Sequence, residues 1–368
     1  MYNSKNITVA VAMSGGVDSS VAAALLVRKG FKVFGITMKT YDFFEVGGNV
    51  NGDTNCCDMK SVLTAREISE KLNIEHYVVN LRDEFNDIVI KNFIDEYLDG
   101  RTPNPCVLCN KAIKFNLLMK KAFEMGAHFF ATGHYARLYK DAQTGRFVIS
   151  RAKDKKKDQS YMLWAITQDA LSKSVFPLGE LTKEKVRNLA VEFNLQNARK
   201  QESFELCFIP DNDYERFLSE KVSGLKEKIQ GGEIILDGKK VGTHKGYPFY
   251  TIGQRRDLGS YGRKMYVTKI NPDTNTVYIG TDKDLYRRCL IAKDVNWIKI
   301  PKIISEIKGK AKIRYKDEAE SASISMIEDN KIMVKFDEPK RAITPGQSVV
   351  VYDDEDILLG GVIEKVLD

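Results

Sequence analysis

The fold is decided by Ile7-Thr8-Val9-Ala10-Val11-Ala12-Met13-Ser14-Gly15-Gly16-Val17-Asp18-Ser19-Ser20. Ile7–Met13 is an apolar stretch suited to a strand buried in a parallel sheet. Asp18–Lys29 then reads as a helix that stops at Gly30. Between them, two glycines let the backbone approach a phosphate closely. The serine hydroxyls and the helix N-terminus add donors and a positive dipole end. A Walker A loop would need a Lys before its last Ser or Thr, and a dinucleotide fingerprint would need G-x-G-x-x-G. Neither is present. A capped turn would account for a bare SGG tripeptide, but Asp18 and Ser19 at the end of a first sheet strand favour phosphate.

Working outward, strand and helix signals alternate. Phe31–Met38 reads as a second strand, and Val62, Ala65, Ile68 and Leu72 mark one face of a helix. His76–Leu81 is strand-like. Phe85, Ile88, Val89, Phe93 and Tyr97 line a helix ending at Gly100, followed by a helix over Lys111–Met125 and a strand over Phe129–Thr132. This order predicts an α/β fold with a doubly wound parallel sheet. Past Tyr135 the grammar changes. Tyr135–Tyr139 and Arg146–Ser150 form a hairpin around DAQTG, Thr182 caps a helix over Lys183–Phe193, and from Gly231 short strands alternate with turns. The expected divisions are 1–209, a small central part over 210–283, and a C-terminal β-barrel-like part over 284–368.

Length and composition agree with several domains: 368 residues exceed one ordinary core, and 43% hydrophobic with 29% charged residues suits a globular chain. The longest apolar run, around Val21–Val27, is too short to span a membrane, and MYNSKNITVA lacks the features of a secretory signal. A cytoplasmic protein without membrane association is the expectation. The net charge of +7 is compatible with a polyanionic partner without requiring one. Its densest basic runs are Arg151–Gln159 and Pro301–Lys316.

Six cysteines, Cys56, Cys57, Cys106, Cys109, Cys207 and Cys289, are too few and too scattered for a disulfide framework in a chain of this size. The single Cys-x-x-Cys and the four dispersed histidines do not make a zinc site. Cys106 and Cys109 lie in Arg101-Thr-Pro-Asn-Pro-Cys-Val-Leu-Cys-Asn-Lys111, ahead of a helix whose N-terminus lowers a thiol pKa. Cys207 sits in Lys200-Gln-Glu-Ser-Phe-Glu-Leu-Cys-Phe-Ile-Pro210. An isolated cysteine is more simply a small buried hydrophobe, and that reading stands for Cys289. Cys56 and Cys57 are assigned no chemistry.

SGGVDSS resembles the PP-loop of ATP pyrophosphatases, which cleave ATP between the α- and β-phosphates and adenylate a carbonyl oxygen. Taken together with TPNPCVLCNKAIKF, ATGHYAR, KDQSYMLW, ELCFIPDNDY, GTHKGYPFYTIGQRRDLG, KIRYKDEAESA and TPGQSVVVYDDEDILLGG, the chain strongly resembles the tRNA-specific 2-thiouridylases from about residue 8 to residue 361. The resemblance implies ATP bound by Ala12, Met13, Ser14, Gly15, Gly16, Val17, Asp18 and Ser19, with Met38 and Gly133 beside the adenine and ribose, and with Mg²⁺ on the departing pyrophosphate.

By the same resemblance Cys109 is the catalytic cysteine, and Cys207 receives persulfide sulfur from an upstream donor protein. The sulfur attacks C2 of an adenylated wobble uridine, giving 2-thiouridine, AMP and pyrophosphate. Asn104, Pro105 and Cys106 are expected beside the flipped base, and Lys157, Asp158, Gln159, Arg314 and Tyr315 on the tRNA. His134 is either a ligand-side or a structural residue.

Some relatives carry Asp where this chain has Cys106, and Lys200–Glu205 departs from their common KPDSQE pattern. Cys106, Cys109 and Cys207 also resemble the trio holding a four-iron four-sulfur cluster in related tRNA thiolases. Persulfide-plus-disulfide and cluster chemistry therefore both stay open. A monomer is expected. The rival readings are another PP-loop adenylating ligase and a non-catalytic tRNA-binding relative. No methyl-donor site is visible.

Overall fold

A computed structural model describes residues 6–41, 59–200 and 206–367. Cys56, Cys57, Gln201, Glu202 and Phe204 lie outside the described residues. The chain divides into two compact units. The first comprises Met1–Val89, Cys106–Asn212 and Glu355–Ile357; the second comprises Ile90–Pro105, Asp213–Asp354 and Leu358–Asp368.

The first unit opens with β1 (Thr8–Ala12), α1 (Val17–Arg28), β2 (Lys32–Lys39), α2 (Met59–Lys71), β3 (Glu75–Asn80) and α3 (Arg82–Phe85). A π-helical stretch, Asn86–Ile90, leads out of it into α4 (Lys91–Leu98) of the second unit. The first unit resumes at Cys106, inside α5 (Pro105–Leu108), and continues through the π-helical Cys109–Leu118, kinked at Phe115, into α6 (Met119–Glu124). Then come β4 (Phe129–Ala131), the antiparallel pair β5 (Ala136–Lys140) and β6 (Phe147–Arg151), α7 (Gln168–Ser172), β7 (Ser174–Val175) and α8 (Lys183–Glu192).

The main sheet runs β3-β2-β1-β4-β7, and every pairing is parallel. The expected doubly wound sheet is therefore present. Its core is formed by Val9 and Val11 of β1, Val21 and Leu25 of α1, Ala65 and Ile68 of α2, and Val186 and Leu189 of α8. Strand order reverses at β1, since β2 and β3 extend to one side and β4 to the other. The loop after β1 and the segment after β4 thus meet at the switch point, where open parallel sheets bind ligands. Gly30 and Gly126 take left-handed φ values of +82° and +90° at the ends of their helices, as the sequence suggested.

Two features depart from the sequence reading. The fifth strand, β7, has only two residues and leaves no periodic signal. The helix expected at Lys111 starts instead at Pro105, so Cys106 and Cys109 lie inside its first two turns rather than ahead of it. Pro105 explains the early start: its φ suits the first helical position, and its missing N–H is one that needs no partner there.

In the second unit α4 packs on α9 (Tyr214–Lys221), with Phe93 edge-on to Phe217 at 5.9 Å and Tyr97 stacked on Tyr214 at 5.6 Å. After α10 (Leu225–Ile229), a four-stranded sheet has the order β10-β11-β8-β9. Its strands are β8 (Gly232–Leu236), β9 (Lys239–His244), β10 (Tyr266–Asn271) and β11 (Thr276–Gly280). The remaining strands are β12 (Tyr286–Trp297), β13 (Ile307–Lys312), β14 (Glu320–Glu328), β15 (Lys331–Arg341), β16 (Ser348–Asp353) and β17 (Asp356–Leu367). They follow the order β12-β15-β14-β13-β16-β17, and β12 pairs again with β17 to close a barrel. Alternate residues such as Leu290, Ala311, Ile324, Val334, Val351 and Ile363 fill it. No helix among the described residues is long and apolar enough to cross a membrane.

Candidate active site

The loop after β1 is shaped by its glycines. Gly15 has φ +66°, and a Cβ there would lie 2.4 Å from the Ser61 carbonyl oxygen. Gly16 is the residue preceding α1, and no side chain caps that helix. The Ser19 and Ser20 hydroxyls instead turn back to the Gly16 carbonyl, at 3.1 and 2.8 Å, while Ser14 N–H donates to Ser19 Oγ at 3.2 Å. A twelve-residue helix thus presents its N-terminus without a side-chain cap, behind a loop with little side-chain bulk. This counts against the capped-turn alternative. Gly133 closes the other wall: a Cβ on it would come within 2.7 Å of Ser19 N. Met38, half-buried, is the last residue but one of β2.

Several residues of this loop's surroundings escaped the sequence reading. Lys183 Nζ holds both Asp18 carboxylate oxygens at 2.8 Å, and the Tyr135 hydroxyl donates to Asp18 Oδ1 at 2.7 Å. Asn197, almost fully buried, donates from Nδ2 to the Gly15 carbonyl and to Ser20 Oγ, both at 3.0 Å. The Thr182 helix cap, one residue before Lys183, and the ATGHYAR motif that contains Tyr135 were the sequence pointers to this place. The cap itself is present, with Thr182 Oγ1 accepting from Lys185 N–H.

His134 lies in an aromatic pocket, with ring centroids 6.0 Å from Phe115 and 6.3 Å from Phe176, and its Nδ1 is 2.8 Å from Thr132 Oγ1. Burial, reinforced by the Lys114 charge, pushes its pKa well below the ordinary histidine value. It is a neutral ring at physiological pH, which suits the structural reading.

Of the three singled-out thiols, Cys106 is exposed, Cys109 is buried and Cys207 is half-buried. Next to Cys109, Asn110 donates from Nδ2 to the Met162 carbonyl at 2.9 Å, tying the start of the π-helical stretch to the segment after the basic run. Cys207 is held by its neighbourhood: its carbonyl accepts from the Tyr41 hydroxyl, and Phe208 packs edge-on to Phe85 at 5.8 Å. Among the described residues, no group of three or more His, Cys, Asp or Glu is placed to hold a metal ion.

The residues expected on the tRNA differ in what they face. Asp158 is buried, and its carboxylate accepts from Ala152 N–H, Ser160 N–H and Ser160 Oγ at 3.0, 3.1 and 2.9 Å. Gln159 Oε1 accepts from Tyr135 N–H. Both brace the basic loop and the strand end behind Gly133, while Lys157 is half-buried. Asn104 is half-buried and Pro105 buried.

In the barrel, Arg314 donates to the Ala342 carbonyl and to Thr344 Oγ1, and Lys312 lies 5.7 Å over the Tyr315 ring. Lys308 and Lys310 occupy the solvent side of β13. They pair in register with Ser323 and Ser321 of β14, and Ser323 in turn faces Lys335 of β15. Lys308, Lys310 and Lys335 are exposed and make no ion pair among the described residues. By contrast Lys302 pairs with Asp329, and the buried Lys340 pairs with Asp317 and Glu320.

A nucleotide-type loop at the switch point of a parallel sheet, followed by two β-rich parts, defines the class: an α/β nucleotide-binding enzyme core joined to barrel domains. Three family profiles match the chain in turn. They are described as a tRNA methyl transferase HUP domain (residues 7–211), a tRNA methyl transferase PRC-barrel domain (216–281) and an aminomethyltransferase β-barrel domain (287–363). A tRNA-specific 2-thiouridylase of Salinibacter ruber is 48% identical over 366 residues, covering 99% of this chain and 96% of that one. One of Caldicellulosiruptor saccharolyticus is 48% identical, covering 98% and 99%. One of Cytophaga hutchinsonii is 45% identical, covering 98% of each. The chain belongs to the tRNA-specific 2-thiouridylase family.

Proposed function

We propose that this protein is a tRNA-uridine 2-sulfurtransferase that uses ATP to replace the C2 oxygen of a wobble uridine with sulfur. The observation that carries the reading is the uncapped glycine loop of α1 in the same compact unit as the helix-borne Cys109 and the anchored Cys207. In the proposed reaction the uridine O2 attacks the α-phosphorus of ATP, and pyrophosphate leaves. Loop N–H groups and the dipole of α1 stabilise the phosphate charge. The Asp18 carboxylate and the nearby serine hydroxyls are hard oxygen donors that suit Mg²⁺, which would neutralise the pyrophosphate. Lys183, released from Asp18, adds a cation to the same place.

The terminal sulfur of a Cys207 persulfide, loaded by an upstream donor protein, then attacks C2. AMP departs with the former uridine oxygen. Cys109 attacks the Cys207 sulfur, breaking the S–S bond, so 2-thiouridine is released and the two cysteines are left as a disulfide for an external thiol to reduce. A thiol in the first turns of a helix is well suited to this step. Iron–sulfur chemistry on Cys106, Cys109 and Cys207 is the alternative route, which iron and labile-sulfide analysis of protein purified without oxygen distinguishes. The exposed lysines of β13 and β15, without an ion pair among the described residues, support tRNA as the polyanion that the barrel meets. We take residues 1–209, 210–283 and 284–368 as the working parts, in a cytoplasmic monomer.

The test is a thiolation assay with a persulfide donor, resolved from pyrophosphate release. Cys109→Ser and Cys207→Ser should each abolish thiolation while tRNA affinity stays within about two-fold. Asp18→Ala should block pyrophosphate release. Full thiolation in either cysteine variant would overturn the two-cysteine route.

A further inference from the structure

The turn after α8 brings a buried amide under the loop that follows β1, inside the first unit. Asn194, at φ +53°, donates its N–H to the Val191 carbonyl, and Leu195 N–H donates to the Ala190 carbonyl, both at 2.8 Å. This left-handed stop satisfies the last turn of the helix. Leu195 is buried with Val21 and Leu25 of α1 and Leu189 of α8. Two residues further on, Asn197 is only 4% exposed, and its own carbonyl accepts from Lys200 N–H at 2.9 Å. Its backbone is therefore firmly based where the side chain reaches the loop.

The amide has one workable orientation. Nδ2 lies 3.0 Å from both the Gly15 carbonyl oxygen and Ser20 Oγ, and a carbonyl only accepts. The NH₂ must face Gly15, which leaves Oδ1 buried with no hydrogen-bond partner among the described residues. A buried orphan of this kind is costly, and the fold keeps the two donated bonds in spite of it.

The Gly15 carbonyl belongs to the peptide that joins the two glycines of the loop. A trans peptide points its C=O and N–H in opposite directions, so the grip turns Gly16 N–H away from the buried amide. The Gly16 carbonyl in turn accepts from Ser19 Oγ and Ser20 Oγ, which turns Val17 N–H away from those hydroxyls. Glycine does not hold such a peptide by itself. Flipping it would move Gly16 from φ −86° to a positive φ, which glycine adopts about as readily.

We propose that Asn197 is a positioning residue for the phosphate loop: its amide, shared between the Gly15 carbonyl and Ser20 Oγ, locks the Gly15–Gly16 peptide with Gly16 N–H aimed at the triphosphate. The inference rests on this loop being the ATP site, as proposed above. Asn197 itself touches no substrate and acts through that one peptide. Hydrogen bonds to an anion are roughly twice as strong as neutral ones, so a misaligned Gly16 N–H weakens the grip on phosphate and leaves the adenosine end alone.

The experiment measures binding to the full chain, with Mg²⁺ present, of two probes: ATP carrying a methylene bridge between its α- and β-phosphates, and adenosine. Asn197→Leu keeps the bulk of the side chain and loses both donors. It should weaken binding of the ATP analogue about ten-fold or more and leave that of adenosine within about two-fold. Asn197→Thr, with a single hydroxyl donor, should fall between the parent and the Leu variant, and it carries the test if the Leu variant does not fold. A role confined to stability would lower the melting temperature and leave both affinities alone, which overturns the proposal. Equal losses for the two probes overturn it as well. A parent chain that does not bind the ATP analogue removes the ATP reading and this inference with it, whereas equal binding by parent and variants removes Asn197 alone.

Discussion

Asp18 carries a lysine on both oxygens and a tyrosine hydroxyl on one, and the Lys183 side chain is only 11% exposed against 30% for Asp18. A pair this sheltered is costly to break from one side, because the surviving charge is left without compensation. A triphosphate offers the ammonium a replacement partner at the same place. Lys183→Met should therefore reduce ATP-dependent pyrophosphate release by roughly ten- to a hundred-fold, equivalent to about 1.4–2.8 kcal/mol of barrier. Lys183→Arg should recover part of it. Unchanged release in the Met variant would remove Lys183 from the reaction. The motif around Asp18 was legible because its residues adjoin. Lys183 was not, since it lies 165 residues further on in TKEKVRN, a stretch that reads as an ordinary solvated helix.

At the level of elements, α8 owes its register to one hydroxyl. Thr182→Ala should cost about 1 kcal/mol, seen as a lower urea midpoint with unchanged slope, while Thr182→Ser should keep most of it. A midpoint identical to the parent would mean that the Lys185 N–H finds another acceptor. The core strands β1 and β2 and the helix α1 between them were legible because apolar runs and a glycine stop coincide there. The cysteine helix was misread by six residues, because two prolines punctuate a sequence as a loop even when one of them starts a helix. The brief β7 was hidden by its length, and the inward turn of Asp158 by a run of lysines that reads as all surface.

Across the whole molecule, the basic excess is distributed by function rather than by count. Lysines that brace the barrel are paired with carboxylates, and Lys308, Lys310 and Lys335 stand exposed along a serine-lined strand. Lys308→Ala and Lys310→Ala should each flatten the dependence of log tRNA affinity on log salt by about one unit, with little change in the maximal rate. A slope that does not move would show that this face meets only water and counterions.

The backbone passes from one compact unit to the other five times, after Val89, Pro105, Asn212, Asp354 and Ile357. A protease that nicks any single one of these crossings therefore leaves the two halves still tethered through the others. Nor can either half be excised as one contiguous gene fragment. A deletion meant to remove one half would therefore also cut the chain of the other.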